Sequence, residues 1–151
     1  SQRQLYAGSD TYEKVSARPD FSVLLFPVVS LRKPYDTTRT RLEIIGETPN
    51  AQAENAWSLD TYASADAPPM IIFASADDKT APPGHGIMLF EKLNAAGASA
   101  ELHMFRDGGH GWGLGRPEQV LNQWPEMFIK WFDSGKIVQK SRENEDDNQI
   151  F

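Results

Sequence analysis

Two short stretches carry the side chains best suited to acid–base chemistry, Ala76-Asp77-Asp78-Lys79-Thr80-Ala81-Pro82 and Asp107-Gly108-Gly109-His110-Gly111-Trp112-Gly113. Histidine is the side chain whose ordinary pKa lies nearest neutrality, so it can take up and return a proton. A carboxylate bonded to one imidazole nitrogen fixes the tautomer and stabilises the imidazolium, which leaves the other nitrogen free as a general base. Gly108, Gly109 and Gly111 make His110 poor packing material and let the backbone swing its ring into a crevice. The remaining histidines stand in blander surroundings. His103 lies within a run of strand formers and reads as a core or interface residue, whereas His85, in Gly84-His85-Gly86 at a helix start, is expected to be partly exposed. Asp78, His85 and His110 match no zinc spacing, so neither metal nor cofactor is expected. The chain has no cysteine, which removes thiolate nucleophiles, disulfides and thiolate metal sites together.

An acid and a histidine so far apart in sequence can meet only if the elements before them end side by side. Three runs have strand character, near 21–28, 70–75 and 101–106. The first, Phe21-Ser22-Val23-Leu24-Leu25-Phe26-Pro27-Val28, reads as a strand buried on both faces, as in the interior of a parallel sheet. Ile87, Leu89, Phe90 and Leu93 recur at helical spacing before Gly97, which predicts a crossover helix over 86–96 joining the second strand to the third. In a parallel sheet neighbouring strand ends lie about 4.8 Å apart, and ligands bind in the crevice beyond their carboxyl ends. The residues 76–82 and 107–113 follow those ends directly. A last helix is predicted from Trp124-Pro125, carrying Phe128, Ile129, Trp131 and Phe132 before Gly135 ends it, and is expected to pack on one face of the sheet. The stretch 29–69 is too long for a plain loop and predicts two short helices, one near Thr38–Ile45 stopped by Gly46 and one near Ala51–Trp57. Arg39 and Arg41 are expected to face solvent from the first of these.

The order acid then histidine, on the last two strands and before a final helix, resembles the C-terminal half of an α/β-hydrolase. The likeness extends to Arg18-Pro19-Asp20-Phe21, Leu25-Phe26-Pro27-Val28-Val29-Ser30, Pro68-Pro69, Asp78-Lys79-Thr80-Ala81-Pro82, Ala100-Glu101-Leu102-His103-Met104-Phe105, Gly108-Gly109-His110-Gly111-Trp112-Gly113-Leu114 and Trp124-Pro125. Together these resemble the acetyl xylan esterase and feruloyl-esterase-like branch of that superfamily, in order from about Arg18 to Phe132. The resemblance implies a serine carboxylester hydrolase in which Asp78 orients His110. The family's acid stands two residues short of a Val-Pro pair, represented here by Ala81-Pro82, which favours Asp78 over Asp77 and leaves Asp77 as a turn residue. Trp112 and Trp57 could wall a sugar or feruloyl ring, an assignment in which Trp112 is the substrate-binding candidate and packing is the equal alternative.

One component of the chemistry is missing. The superfamily's nucleophile occupies Gly-x-Ser-x-Gly on a strand-to-helix turn, and none of the eleven serines here has glycine two places away on both sides. The chain is therefore expected to be the C-terminal portion of such a hydrolase domain over 1–135, followed by a polar tail over 136–151, and to be silent alone. Its partners would be a small-molecule or polysaccharide ester and either the missing N-terminal half of the domain or a self-association partner covering a bare sheet edge. The alternatives are a non-catalytic binding or assembly half-domain and a peptidase of the same fold, since fold and triad do not separate esters from amides. A formal net charge of −6 without a basic cluster argues against nucleic acid and anionic membrane surfaces as partners. No apolar run approaches the roughly 18 residues of a spanning helix. Localisation is not legible in the residues, although the resemblance is compatible with a periplasmic or extracellular place.

Overall fold

Strand β1 (Ser22–Leu25), strand β2 (Met70–Ser75) and strand β3 (Ala100–Phe105) lie parallel in one sheet, in the order β1-β2-β3, in the computed structural model, which describes residues 18–134. The segment before Arg18 and the tail read over 136–151 lie outside the described residues. Leu25 pairs with Phe73, Phe73 with His103, and Ser75 with Phe105. β2 and β3 thus end level, and the Ala76 amide continues the ladder by donating to the Phe105 carbonyl at 2.8 Å.

Four helices connect and cover the strands: α1 (Arg39–Ile45), α2 (Ala51–Trp57), α3 (Gly84–Ala95) and α4 (Trp124–Asp133). The short pair in 29–69 starts on side-chain caps, with Thr38 accepting the Arg41 amide and Asn50 the Ala53 amide. α3 begins two residues earlier than its apolar spacing predicts. Pro82 and Pro83 provide the first carbonyls, accepting from the His85 and Ile87 amides, and proline is pre-set for a helix start. Beyond α3, Gly97 takes the left-handed conformation expected of a stop, at φ 79°.

β2 is the buried centre, and its near-continuous apolar run follows from cover on both faces. Ile72 faces Val29, Leu89, Leu93 and Ala98 on the α3 side. Ile71 and Phe73 face Phe105, Leu121 and Trp131 on the α4 side. Each fully buried side chain of this kind is worth about 1.5–3 kcal/mol relative to exposure.

β1 corrects two expectations. It ends at Leu25 rather than near 28, because Phe26 turns to φ 41° and Pro27 has no amide to give to a ladder. Its residues are half-buried, not fully buried, since among the described residues it pairs only with β2. Leu24 packs toward α3, and Val23 and Leu25 toward α4. Arg41 is a third correction. Arg39 faces solvent, but the Arg41 side chain is only 17 % exposed and donates to the Gly46 and Glu47 carbonyls, closing the end of α1. Asp60, fully buried, accepts from Arg32 beyond β1 and from Lys92 of α3, tying the 29–69 excursion to the crossover helix. No helix among the described residues is long and apolar enough to cross a membrane.

Candidate active site

Asp78 is built into its place by its own backbone. One carboxylate oxygen, Oδ1, accepts the amides of Thr80 at 2.8 Å and Ala81 at 2.9 Å, so the chain folds into a turn around its side chain. The other oxygen, Oδ2, lies 2.8 Å from Nδ1 of His110. The Asp78 side chain is 1 % exposed and that of His110 34 %, a buried carboxylate behind a partly open imidazole. With Nδ1 engaged by a carboxylate, the ring proton belongs on Nδ1 and Nε2 remains to accept one.

His110 rides a turn whose left-handed backbone strongly favours glycine on either side. Gly109 and Gly111 on either side of it have φ of 63° and 70°, conformations that cost most side chains about 1–2 kcal/mol. Gly108 is needed for space, because a Cβ there would stand 2.5 Å from both Leu121 Cδ2 and Ser75 Oγ. The adjacent acid, Asp77, accepts the Gly109 amide at 2.8 Å. That hydrogen bond, the largest cause, holds the Asp77 carboxyl below its usual 3.8. The sequence predicts a turn residue at Asp77, and the structure adds a carboxylate bonded across to the histidine turn.

Phe26 is the site residue that the sequence did not reveal. Its left-handed backbone directs the ring over the crevice, 4.6 Å from the His110 ring and 5.0 Å from Trp112, edge-on to both. A positive φ on a bulky residue is a local conflict of the sort stored at functional sites, and no composition rule discloses it. Trp112 is half-buried between Phe26 and Phe105, the latter 5.8 Å away. Trp57 stands exposed at the end of α2 and shares no ring contact with Trp112 among the described residues.

The other histidines divide. His103 stacks on Phe73 at 5.1 Å and bonds Glu101 at 2.8 Å, as a packed strand histidine should. His85 corrects the expectation of partial exposure, since it is fully buried. Its Nδ1 faces the amides of Val29 and Ser30, each at 3.4 Å, and Tyr35 covers its ring at 5.1 Å. Burial lowers its pKa, which Asp60 and Asp78 only partly offset. No group of three or more His, Asp or Glu among the described residues is placed to hold a metal.

An open parallel sheet bearing an acid and a histidine beyond the carboxyl ends of adjacent strands, with a closing helix behind, defines part of an α/β-hydrolase fold. Residues 21–135 match the model of the prolyl oligopeptidase family, and the chain belongs to that family. It is 25 % identical over 128 residues to an acetylxylan esterase of Xylanibacter ruminicola, covering 82 % of this chain and 27 % of that protein. Among solved structures it is similar to an acetyl ester-xyloside bifunctional hydrolase from Caldicellulosiruptor lactoaceticus, with a TM-score of 0.77 and 30 % identity over 84 % of this chain and 46 % of that one. A propionate-bound esterase of Thermogutta terrifontis gives a TM-score of 0.68 at 25 % identity, over 88 % of this chain and 48 % of the other. The chain therefore spans about a quarter of the curated relative and just under half of each solved one.

Proposed function

We propose that residues 18–134 form the acid–base half of a serine esterase for short acyl esters, acetyl esters of xylan among them. The observation that carries this reading is the 2.8 Å contact between the Asp78 carboxylate and His110 Nδ1 at the carboxyl edge of the sheet. The acetylxylan esterase relative and the esterase and acetyl ester hydrolase structures support the ester class. In this mechanism His110 Nε2 takes the proton of a serine hydroxyl as its oxygen attacks the ester carbonyl, and Asp78 stabilises the imidazolium. The C–O bond to the alcohol breaks and His110 returns the proton to the leaving oxygen. A water, deprotonated by the same nitrogen, then releases the acid.

The serine and the oxyanion donors would come from the rest of the hydrolase domain, whose neighbouring strand would pair with the β1 edge that has no strand beside it among the described residues. Phe26 and Trp112 would wall the acyl or alcohol side of the crevice. The protein comprising this segment and its N-terminal complement should cleave an aryl acetate and deacetylate xylan, whereas the 151-residue chain alone should do neither. Cleavage of prolyl peptide anilides without cleavage of either ester would instead favour the peptidase reading to which the family's description points.

A further inference from the structure

Residues 108–111 combine three glycines with one histidine, so the backbone that carries the imidazole has little stiffness of its own. Asp78 holds the ring, but a ring bond fixes only one end of a side chain with two free torsions. The backbone end is gripped by the preceding residue. Asp77 Oδ1 accepts the Gly109 amide at 2.8 Å, one residue from His110. Two consecutive carboxylates of the β2 loop thus grasp the same turn, one at the ring and one at the main chain. A single planar peptide joins the two residues and holds their Cα atoms about 3.8 Å apart. The turn around Asp78 is closed by the Thr80 and Ala81 amides, and the Asp78 amide donates to the Ser75 carbonyl at 3.3 Å, which ties that peptide to the end of β2.

We propose that Asp77 is a positioning residue of the esterase site, holding the Gly108–Gly109 backbone so that His110 meets Asp78 and the nucleophile together. This rests on His110 being the base. Asp77 touches no reacting atom; it acts through the turn. The Gly109 amide favours the ionised form and holds the Asp77 carboxyl below its usual pKa, so the grip is strongest above the ordinary carboxylate range and weakens, without being lost, as pH falls through the lower folded value. A misplacement of about 1 Å at a catalytic group can cost as much as a hundredfold in rate, so a loosened turn should be visible in kcat.

The test compares Asp77→Ala and Asp77→Asn in the protein that contains both halves of the domain, reading kcat and KM on an aryl acetate and solvent exchange of the Gly109 amide. The Gly97 amide, which donates to Asn94 at 3.0 Å in a remote turn, reports whether each variant is folded. Asp77→Ala should lower kcat about tenfold with KM unchanged and speed Gly109 exchange by a similar factor, leaving Gly97 alone. Asp77→Asn keeps an oxygen acceptor and should restore both readouts to within about twofold of the parent. Wild-type kcat and wild-type Gly109 protection in Asp77→Ala would overturn the proposal, as would an Asp77→Asn variant as impaired as Asp77→Ala. His110→Ala separates the two levels: if it stays active, the base assignment fails, whereas if it is inactive and Asp77→Ala is unaffected, only the positioning role does.

Discussion

Gly108→Ala isolates the packing beneath the histidine turn from its backbone conformation. The added Cβ would lie 2.5 Å from Leu121 Cδ2 and 2.5 Å from Ser75 Oγ. Carbon contacts are most favourable at about 3.5–4.0 Å, so something must yield by about 1 Å. Leu121 is 1 % exposed within the Ile71–Phe73–Trp131 cluster and Ser75 is fully buried at the end of β2, so a shift of either is made inside the core. Overpacking of this kind costs about 1–3 kcal/mol. With a urea dependence of about 1–3 kcal/mol per molar, the unfolding midpoint should fall by about 1 M. Gly111 provides the control, since its added Cβ meets nothing within 4 Å and only its φ of 70° resists substitution. Asparagine tolerates that conformation, so Gly111→Asn should cost less than about 1 kcal/mol while Gly111→Val costs more. Urea unfolding of the three variants decides the matter. A Gly108→Ala midpoint indistinguishable from the parent, or equal costs for Gly111→Asn and Gly111→Val, would refute the reasoning about why those glycines are there.

Two further perturbations probe the scaffold around the site. His85 is held neutral, so its folded pKa lies below the unfolded 6.5, and the unfolded chain binds the proton first as pH falls. Stability should therefore decline from pH 6.5 downward, by at most about 1.4 kcal/mol per pH unit until the folded pKa is reached, and the decline should be absent from His85→Gln in urea titrations at pH 7.5 and 5.5. Asp60→Asn removes the buried negative charge that Arg32 and Lys92 share; because both cations are partly exposed, a loss of about 1.5–3 kcal/mol is expected in thermal or urea unfolding.

Much of this arrangement was legible because short-range rules and long-range needs agree in the centre of the fold. The β2 run Met70-Ile71-Ile72-Phe73-Ala74 is apolar throughout and is covered on both faces, and the spacing of Leu89 and Leu93 gives α3 its buried side. The Asp78–His110 contact was legible for a different reason. Level strand ends leave few places for the residues that follow, and the glycines mark one of those segments as something other than packing. Where the reading failed, the deciding partner was remote in sequence. Phe26 ends β1 through a backbone angle that composition does not encode, and β1, which among the described residues pairs only with β2, is half-buried. His85 looked like a glycine-flanked surface residue, yet the Val29 and Ser30 amides, more than fifty positions away, converge on its ring. Asp77 and Asp78 could be ranked but not given separate tasks until the Gly109 amide was seen to face the first.

The reading of this chain as the acid–base half of an esterase stands or falls on one side chain. Hydrolysis of an aryl acetate should be measured in the protein containing both halves of the domain, for the parent and for His110→Ala, with circular dichroism to show that both are folded. Removing a general base typically costs 10²–10⁴-fold, so kcat should fall by at least about a hundredfold. A folded His110→Ala protein that keeps the parent's turnover would contradict the assignment, and with it the meaning given to the 2.8 Å contact between Asp78 and the His110 ring.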